Sequence, residues 1–143
     1  MQPKIGLEAG LSIIQDLANE GVDKINFVGG EPMLHPHLDE WIKESKRVGM
    51  TTSIVSNGTK MTREWLVSMR QHLDWLGLSV DASNDQIHAI MGRANANEFK
   101  NGVSGHLIRA LEIAKMANEL GYGIKLNTVV TSANVHDDMT EVV

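Results

Sequence analysis

The sequence predicts an α/β fold on a parallel sheet, and three observations carry that prediction. Runs of helical periodicity alternate with short β-branched or apolar runs, glycine punctuates the changes, and a strand-plus-helix unit recurs about every 30 residues. Strands joined by helical crossovers must lie parallel, with right-handed connections. About four such strands fit in the 143 residues, either as a doubly wound sheet or as a barrel, whole or partial.

The elements follow in order. Leu7, Leu11, Ile14 and Ala18 fall at helical spacing, and Gly21 stops that helix. Lys24–Val28 is the first strand. Leu38, Trp41, Ile42 and Val48 mark a second helix, opened by Pro36, Asp39 and Glu40 and closed by Gly49. Thr51–Val55 is β-branched and reads as a strand, with Ser56-Asn57-Gly58 as its turn. Thr62 caps a helix through Trp65, Leu66 and Met69. Trp75–Val80 is the third strand, Ser83–Met91 a short helix ending in Gly92-Arg93, and Ala94–Asn101 a polar loop. Val103, Leu107, Leu111, Ala114 and Ala117 form a long helix stopped by Gly121. Tyr122–Val130 is a fourth strand, and Asn134 is placed to cap a last helix. A chain that opens on a helix and stops in one, around a four-strand sheet with bare edges, reads as part of a larger domain.

Composition narrows the function. A hydrophobic fraction of 42% supports a sizeable core, and a net charge of -5 argues against non-specific nucleic-acid binding. No stretch reaches the roughly 20 apolar residues of a membrane span and no signal-peptide pattern opens the chain, so a cytoplasmic protein is the expectation. There is no cysteine, which removes disulfides, thiol nucleophiles and cysteine-held metals from these residues. No Walker loop, Rossmann glycine fingerprint or nucleophile elbow is present.

Gly29-Gly30-Glu31-Pro32, directly after the first strand, is the most informative motif. The glycines let the backbone turn sharply with peptide groups open to a ligand, and Glu31 suits an ammonium at the C-terminal end of a strand. Side-chain alternation puts Lys24, Asn26 and Val28 on one strand face, and Lys125 and Asn127 on one face of the fourth strand. If helices cover the apolar faces, these lysines share a barrel lumen, where a polyanion such as a phosphate chain would balance them. The plainer alternative is that each lysine snorkels to water. Asn57, Ser79 and Asp81 end other strands and would complete a polar rim with Glu31, although Asn57 also suits a simple turn and Ser79 a backbone contact. Arg93 could fork a ligand carboxylate or lie on the surface. His35-Pro36-His37 lacks a third metal ligand at a recognisable spacing. The eight methionines read as core filler, Trp41, Trp65 and Trp75 as anchors to the core, and Asp137-Asp138 as a helix N-terminus.

Taken together, Lys24-Ile25-Asn26-Phe27, Gly29-Gly30-Glu31-Pro32, Ser53-Ile54-Val55-Ser56-Asn57-Gly58, Ile90-Met91-Gly92-Arg93 and Lys125-Leu126-Asn127 resemble, in sequence and order, the viperin-like radical S-adenosylmethionine (SAM) enzymes, especially prokaryotic ones. The resemblance runs from about Leu7 to the C-terminus. It implies a partial (βα)6 barrel, with residues 1–143 as the central part of a radical-SAM core whose cluster motif lies upstream and whose remaining strands lie downstream. It also implies SAM and a [4Fe–4S] cluster as cofactors, and a flavodoxin or ferredoxin as electron donor. The implied reaction starts with a 5′-deoxyadenosyl radical that abstracts hydrogen from C4′ of CTP, UTP or GTP. Loss of the 3′-hydroxyl then gives a 3′-deoxy-3′,4′-didehydro nucleotide, an antiviral chain terminator. Carried over by motif, Gly29, Gly30 and Glu31 would hold the SAM amine and Pro32 would shape the loop, with Ser79 near the SAM ribose or carboxylate and Arg93 on its carboxylate. Lys24 and Lys125 would meet the phosphates, and Asn57 and Asn127 the sugar or base. No catalytic or metal-binding residue is assigned within the chain. Val28 stands where animal viperins carry serine, and the Cys-x3-Cys-x2-Cys cluster motif is absent, so these residues alone are expected to be inactive. The alternatives are another radical SAM enzyme, acting in peptide modification or cofactor maturation, and a non-catalytic SAM- or nucleotide-binding module.

Overall fold

The computed structural model describes residues 5–93 and 105–142. Helix α1 (Leu7–Asn19) leads into β1 (Lys24–Phe27), a 3₁₀ turn (Pro32–Leu34) and α2 (Leu38–Arg47). Then come β2 (Thr51–Ser56), α3 (Arg63–Met69), β3 (Trp75–Ser79), α4 (Asp85–Ile90), α5 (His106–Glu119), β4 (Gly123–Asn127) and a final 3₁₀ turn (Met139–Val142). The four strands form one parallel sheet in the order β1-β2-β3-β4. That order separates the two expected architectures. A doubly wound sheet reverses direction at a switch point and so places helices on both faces. Here each strand adds beside its predecessor, as in a barrel, and the helices share one face.

The register shows which face. Ile25 lies beside Thr52, Phe27 beside Ile54, Ile54 beside Leu76, and Leu76 beside Ile124. Ile54, Leu76 and Leu78 are fully buried in one core with Ile42, Leu66, Met69, Ile113 and Ala117 from the helices, and Phe27 and Ile124 pack against it. Each fully buried aliphatic side chain contributes about 1.5–3 kcal/mol, so this face carries the fold. The opposite face holds Lys24, Asn26, Ser53, Val55, Trp75, Gly77, Ser79, Lys125 and Asn127, none of which belongs to that core.

Local chemistry explains the element ends. Thr62 caps α3 by accepting the Trp65 amide at 3.2 Å, as its sequence position predicts. Asn84, within the expected helix Ser83–Met91, is the actual cap of α4 and accepts from the Ile87 amide at 3.0 Å. In α2, Asp39 and Glu40 sit in the first turn and Lys46 and Arg47 in the last, matching the helix dipole. Asp74 ties three elements together, taking Lys46 Nζ at 2.7 Å and the Thr52 amide at 2.9 Å. Burial pushes its carboxyl up, but Lys46 and Thr52 outweigh that and hold it below the usual aspartate range.

Several expectations need correction. The first and third strands end one residue early, and Val28 is exposed. The fourth strand covers Gly123–Asn127, not Tyr122–Val130: Tyr122 is buried with its hydroxyl on the Leu66 carbonyl, and the Val129 amide bonds Asp81 instead of a strand. Asn134 caps no helix. Its side-chain amide donates to the Asp81 and Val129 carbonyls, and its Oδ1 accepts from the Thr131 amide. Of the expected helix N-terminus Asp137-Asp138, Asp138 does precede the final 3₁₀ turn and accepts the Thr140 amide at 2.9 Å, whereas Asp137 accepts from the Ser83 amide and hydroxyl. Of the tryptophans, Trp41 donates to the Leu7 carbonyl and Trp65 to Asp39, but Trp75 stands on the open face, 37% exposed. The expected loop 94–101 and Val103 lie outside the described residues.

Candidate functional site

Because the strands are parallel, their C-terminal ends share one rim. Gly29 and Gly30 lie there after β1, Asn57 after β2, Asp81 after β3, and Ser79 and Asn127 occupy the last positions of β3 and β4. Gly29 has φ 145°, outside the range comfortable for other residues. A Cβ built on Gly29 or Gly30 would meet nothing within 4 Å, so open space borders the turn on its side-chain side. Pro32 starts the 3₁₀ turn, where its missing N–H costs nothing. A cavity of about 510 Å³ runs along the free edge of β1 beside this turn, lined by Phe27, Gly29, Gly30, Pro32, Leu34 and Trp41 among others. His35 stacks on Trp41 at 4.3 Å between ring centroids, and among the described residues no cluster of side chains could hold a metal ion.

The Glu31 carboxylate faces back into the protein. It accepts from the Ser56 hydroxyl at 2.8 Å, the Asn57 amide at 2.9 Å and the Met33 amide at 3.1 Å. Three of its roughly four acceptor directions are thus used to pin the glycine turn to the end of β2. The Asn57 side chain closes an Asx turn by accepting the Thr59 amide at 2.9 Å. The bland turn role and the rim position therefore coexist.

Across the rim, Arg93 Nε donates to Asp81 Oδ2 at 2.6 Å, and Asp81 also takes the Val129 amide at 2.8 Å. Asp81 is 3% exposed and Arg93 29%, so the guanidinium is held while still reaching solvent. Two histidines that were not singled out in the sequence build this corner. His88 Nε2 accepts the Asp81 and Ala82 amides at 3.0 and 3.1 Å, and His106 Nε2 lies 2.6 Å from the Ser79 carbonyl. Accepting two amides fixes His88 as the Nδ1–H tautomer, with that proton on the Asn84 carbonyl at 3.1 Å. Burial pushes both imidazoles below the usual histidine range, with the His106 charge adding to the effect on His88. The four-residue spacing from Asn84, a good helix-capping type, to His88 is the sequence signal available for this corner.

Below the rim lies the open sheet face. Lys24 starts β1 and Lys125 sits mid-strand in β4, both exposed. The Lys125 amine is held below the usual lysine range by its contact with Lys24 and by the Lys24 charge, so the two ammonium groups oppose each other. Asn26 accepts from the Ser53 hydroxyl at 2.8 Å on the same face. Five residue steps lead from Lys24 to Gly29, about 16 Å of extended chain. Lys125, by contrast, is level in register with Val28, so an elongated anion could run from Lys24 toward the rim with Lys125 beside its upper end.

The Radical SAM superfamily matches residues 3–143. The chain is 39% identical over 136 residues to an S-adenosylmethionine-dependent nucleotide dehydratase of Flammeovirga pacifica, covering 95% of this chain and 45% of that protein. It is 40% identical over 114 residues to a protein of the same name from a Thermoplasmatales archaeon, covering 80% of this chain and 38% of that one. The chain thus spans less than half the length of these relatives. Among solved structures, native anSMEcpe with bound AdoMet and Cp18Cys peptide superposes with a TM-score of 0.73 at 19% identity, covering 94% of this chain and 38% of that one, which shows a shared fold.

Proposed function

The chain belongs to the radical SAM superfamily, and we propose that it forms the SAM- and nucleotide-binding centre of a viperin-like nucleotide dehydratase. The reaction proposed is conversion of CTP, UTP or GTP to its 3′-deoxy-3′,4′-didehydro form, in an antiviral role in the cytoplasm, with electrons from a flavodoxin or ferredoxin. The observation that carries this reading is that Lys24, at the start of β1, and Lys125, level in register with the end of β1, project from the same open sheet face beneath and beside the glycine turn.

The residues present fit SAM. Gly29 and Gly30 border open space, where their backbone carbonyls would suit an ammonium, and Glu31 ties the turn to the end of β2. Arg93, steadied by Asp81 on the same rim, would take the SAM carboxylate, and the Ser79 hydroxyl would meet a ribose or carboxylate oxygen. Bound SAM supplies a hydrogen-abstracting radical once reduced. The residues present do not fit a [4Fe–4S] cluster, because the chain has no cysteine to hold one. In the substrate, Lys24 and Lys125 would neutralise the phosphate chain, leaving Asn57 and Asn127 nearer the rim for the sugar or base. Holding the nucleotide at both ends fixes which hydrogen faces SAM and keeps water from it.

The test uses a form of the protein that carries a reduced cluster. With SAM and each nucleoside triphosphate in turn, it should yield 5′-deoxyadenosine and a didehydro nucleotide in step. Deoxyadenosine formed while every triphosphate stays intact would refute the assignment.

A further inference from the structure

We infer that Trp75 is a positioning residue of the polyphosphate subsite, its indole face holding the Lys125 ammonium on the open sheet face beside Lys24. This rests on the nucleotide reading above and adds to it a residue outside the motifs that carried that reading. Trp75 opens β3, and while its neighbours Leu76 and Leu78 are fully buried, it remains 37% exposed. Its exposure follows from strand parity: Trp75 shares its face with Gly77 and Ser79. Lys125 Nζ lies 5.0 Å from the Trp75 ring centroid, within cation–π range, and indole is the strongest of the aromatic partners.

The opposite strand is shaped to this ring. Gly123 pairs with Trp75 in register, and a Cβ there would lie 2.5 Å from Trp75 Cε3. Any side chain at 123 would lift the indole and move the surface on which Lys125 rests.

Something must hold Lys125 in place. Two ammonium groups that oppose one another repel, and a lysine has a flexible four-carbon stem with which to swing away. Among the described residues no ion pair involves either lysine. The indole supplies the missing attraction without supplying an anion. The pair therefore stays assembled and uncompensated, ready for a phosphate chain, and less reorganisation is needed on binding.

Inorganic triphosphate is the probe, titrated calorimetrically into the 143-residue chain, with indole fluorescence followed in parallel. Trp75→Leu should raise the Kd about 2- to 5-fold, the range of an exposed cation–π contact. Trp75→Phe should raise it less, and Gly123→Ala should weaken binding although every aromatic remains. In a Lys125→Ala background, Trp75→Leu should add nothing. Circular dichroism of the Phe and Ala variants separates this from loss of fold. An unchanged Kd in Trp75→Leu, or the same loss with Lys125 already removed, overturns the inference. If Lys24→Ala and Lys125→Ala weaken binding while Trp75→Leu does not, only the inference falls. If the lysine variants bind as well as the original chain, or the original chain does not bind, the nucleotide reading falls with it.

Discussion

Replacing Glu31 by Gln asks whether the carboxylate after the glycine turn is a ligand or a pin. The side chain keeps its shape, but one acceptor oxygen becomes an N–H donor. With the amide oxygen kept toward the Ser56 hydroxyl and the Met33 amide, the new donor confronts the Asn57 amide. Charge-assisted bonds contribute about 1.5–3 kcal/mol against about 0.5–1.5 for neutral ones, so two bonds weaken and one is lost. Allowing for partial exposure, the cost is about 2–3 kcal/mol, or roughly 6–12 °C in Tm for a domain of this size. Thermal melts and calorimetric SAM titration on the same preparations give both quantities. The pin role predicts a lowered Tm with SAM affinity changed by less than about 10-fold, roughly 1.4 kcal/mol. An unchanged Tm with SAM affinity down by about 100-fold would show that the carboxylate meets the ammonium itself.

Two further outcomes follow from the corner that holds Arg93. His88 folds as a neutral acceptor of two amides, and burial lowers its pKa from the unfolded value near 6.5. Its contribution is therefore fully present above that pH and is lost as pH falls below it, because the unfolded chain then binds more protons. Urea titrations should show stability falling from pH 7 to pH 5, at up to about 1.4 kcal/mol per pH unit for each such histidine, with a shallower slope in His88→Gln. Flat stability over that range would contradict a buried, neutral His88. Asn134→Leu strands the Asp81 and Val129 carbonyls and the Thr131 amide in a nearly buried site, and should cost about 2–4 kcal/mol in denaturant titrations. A loss under about 1 kcal/mol would show that water replaces the amide there.

The alternation of elements was legible because helical spacing and glycine stops are local signals, and strand parity correctly grouped Lys24 with Asn26 and Lys125 with Asn127. The same parity pairs Trp75 with Gly77 and Ser79, so its exposed face was readable too, but its size suggested the core instead. Strand ends were less legible. Val129 and Val130 have β-branched side chains that favour a strand, yet the Val129 amide bonds Asp81, 48 positions away, and the ladder stops at Asn127. Asn134 and Asp137 behave alike: each has a local capping role in sequence and a distant backbone partner in the fold. For the rim, the motif located Glu31 but not its direction, since its Ser56 and Asn57 partners are 25 and 26 positions away.

The most direct measurement is the Kd of CTP, UTP and GTP for this chain with SAM present, in the original sequence and in Lys24→Ala and Lys125→Ala. The two lysines on one open face predict that at least one triphosphate binds, that either substitution weakens it, and that SAM affinity stays the same. Equal binding of nucleotide by all three proteins, or parallel loss of SAM and nucleotide, would contradict the placement of the phosphate chain on that face.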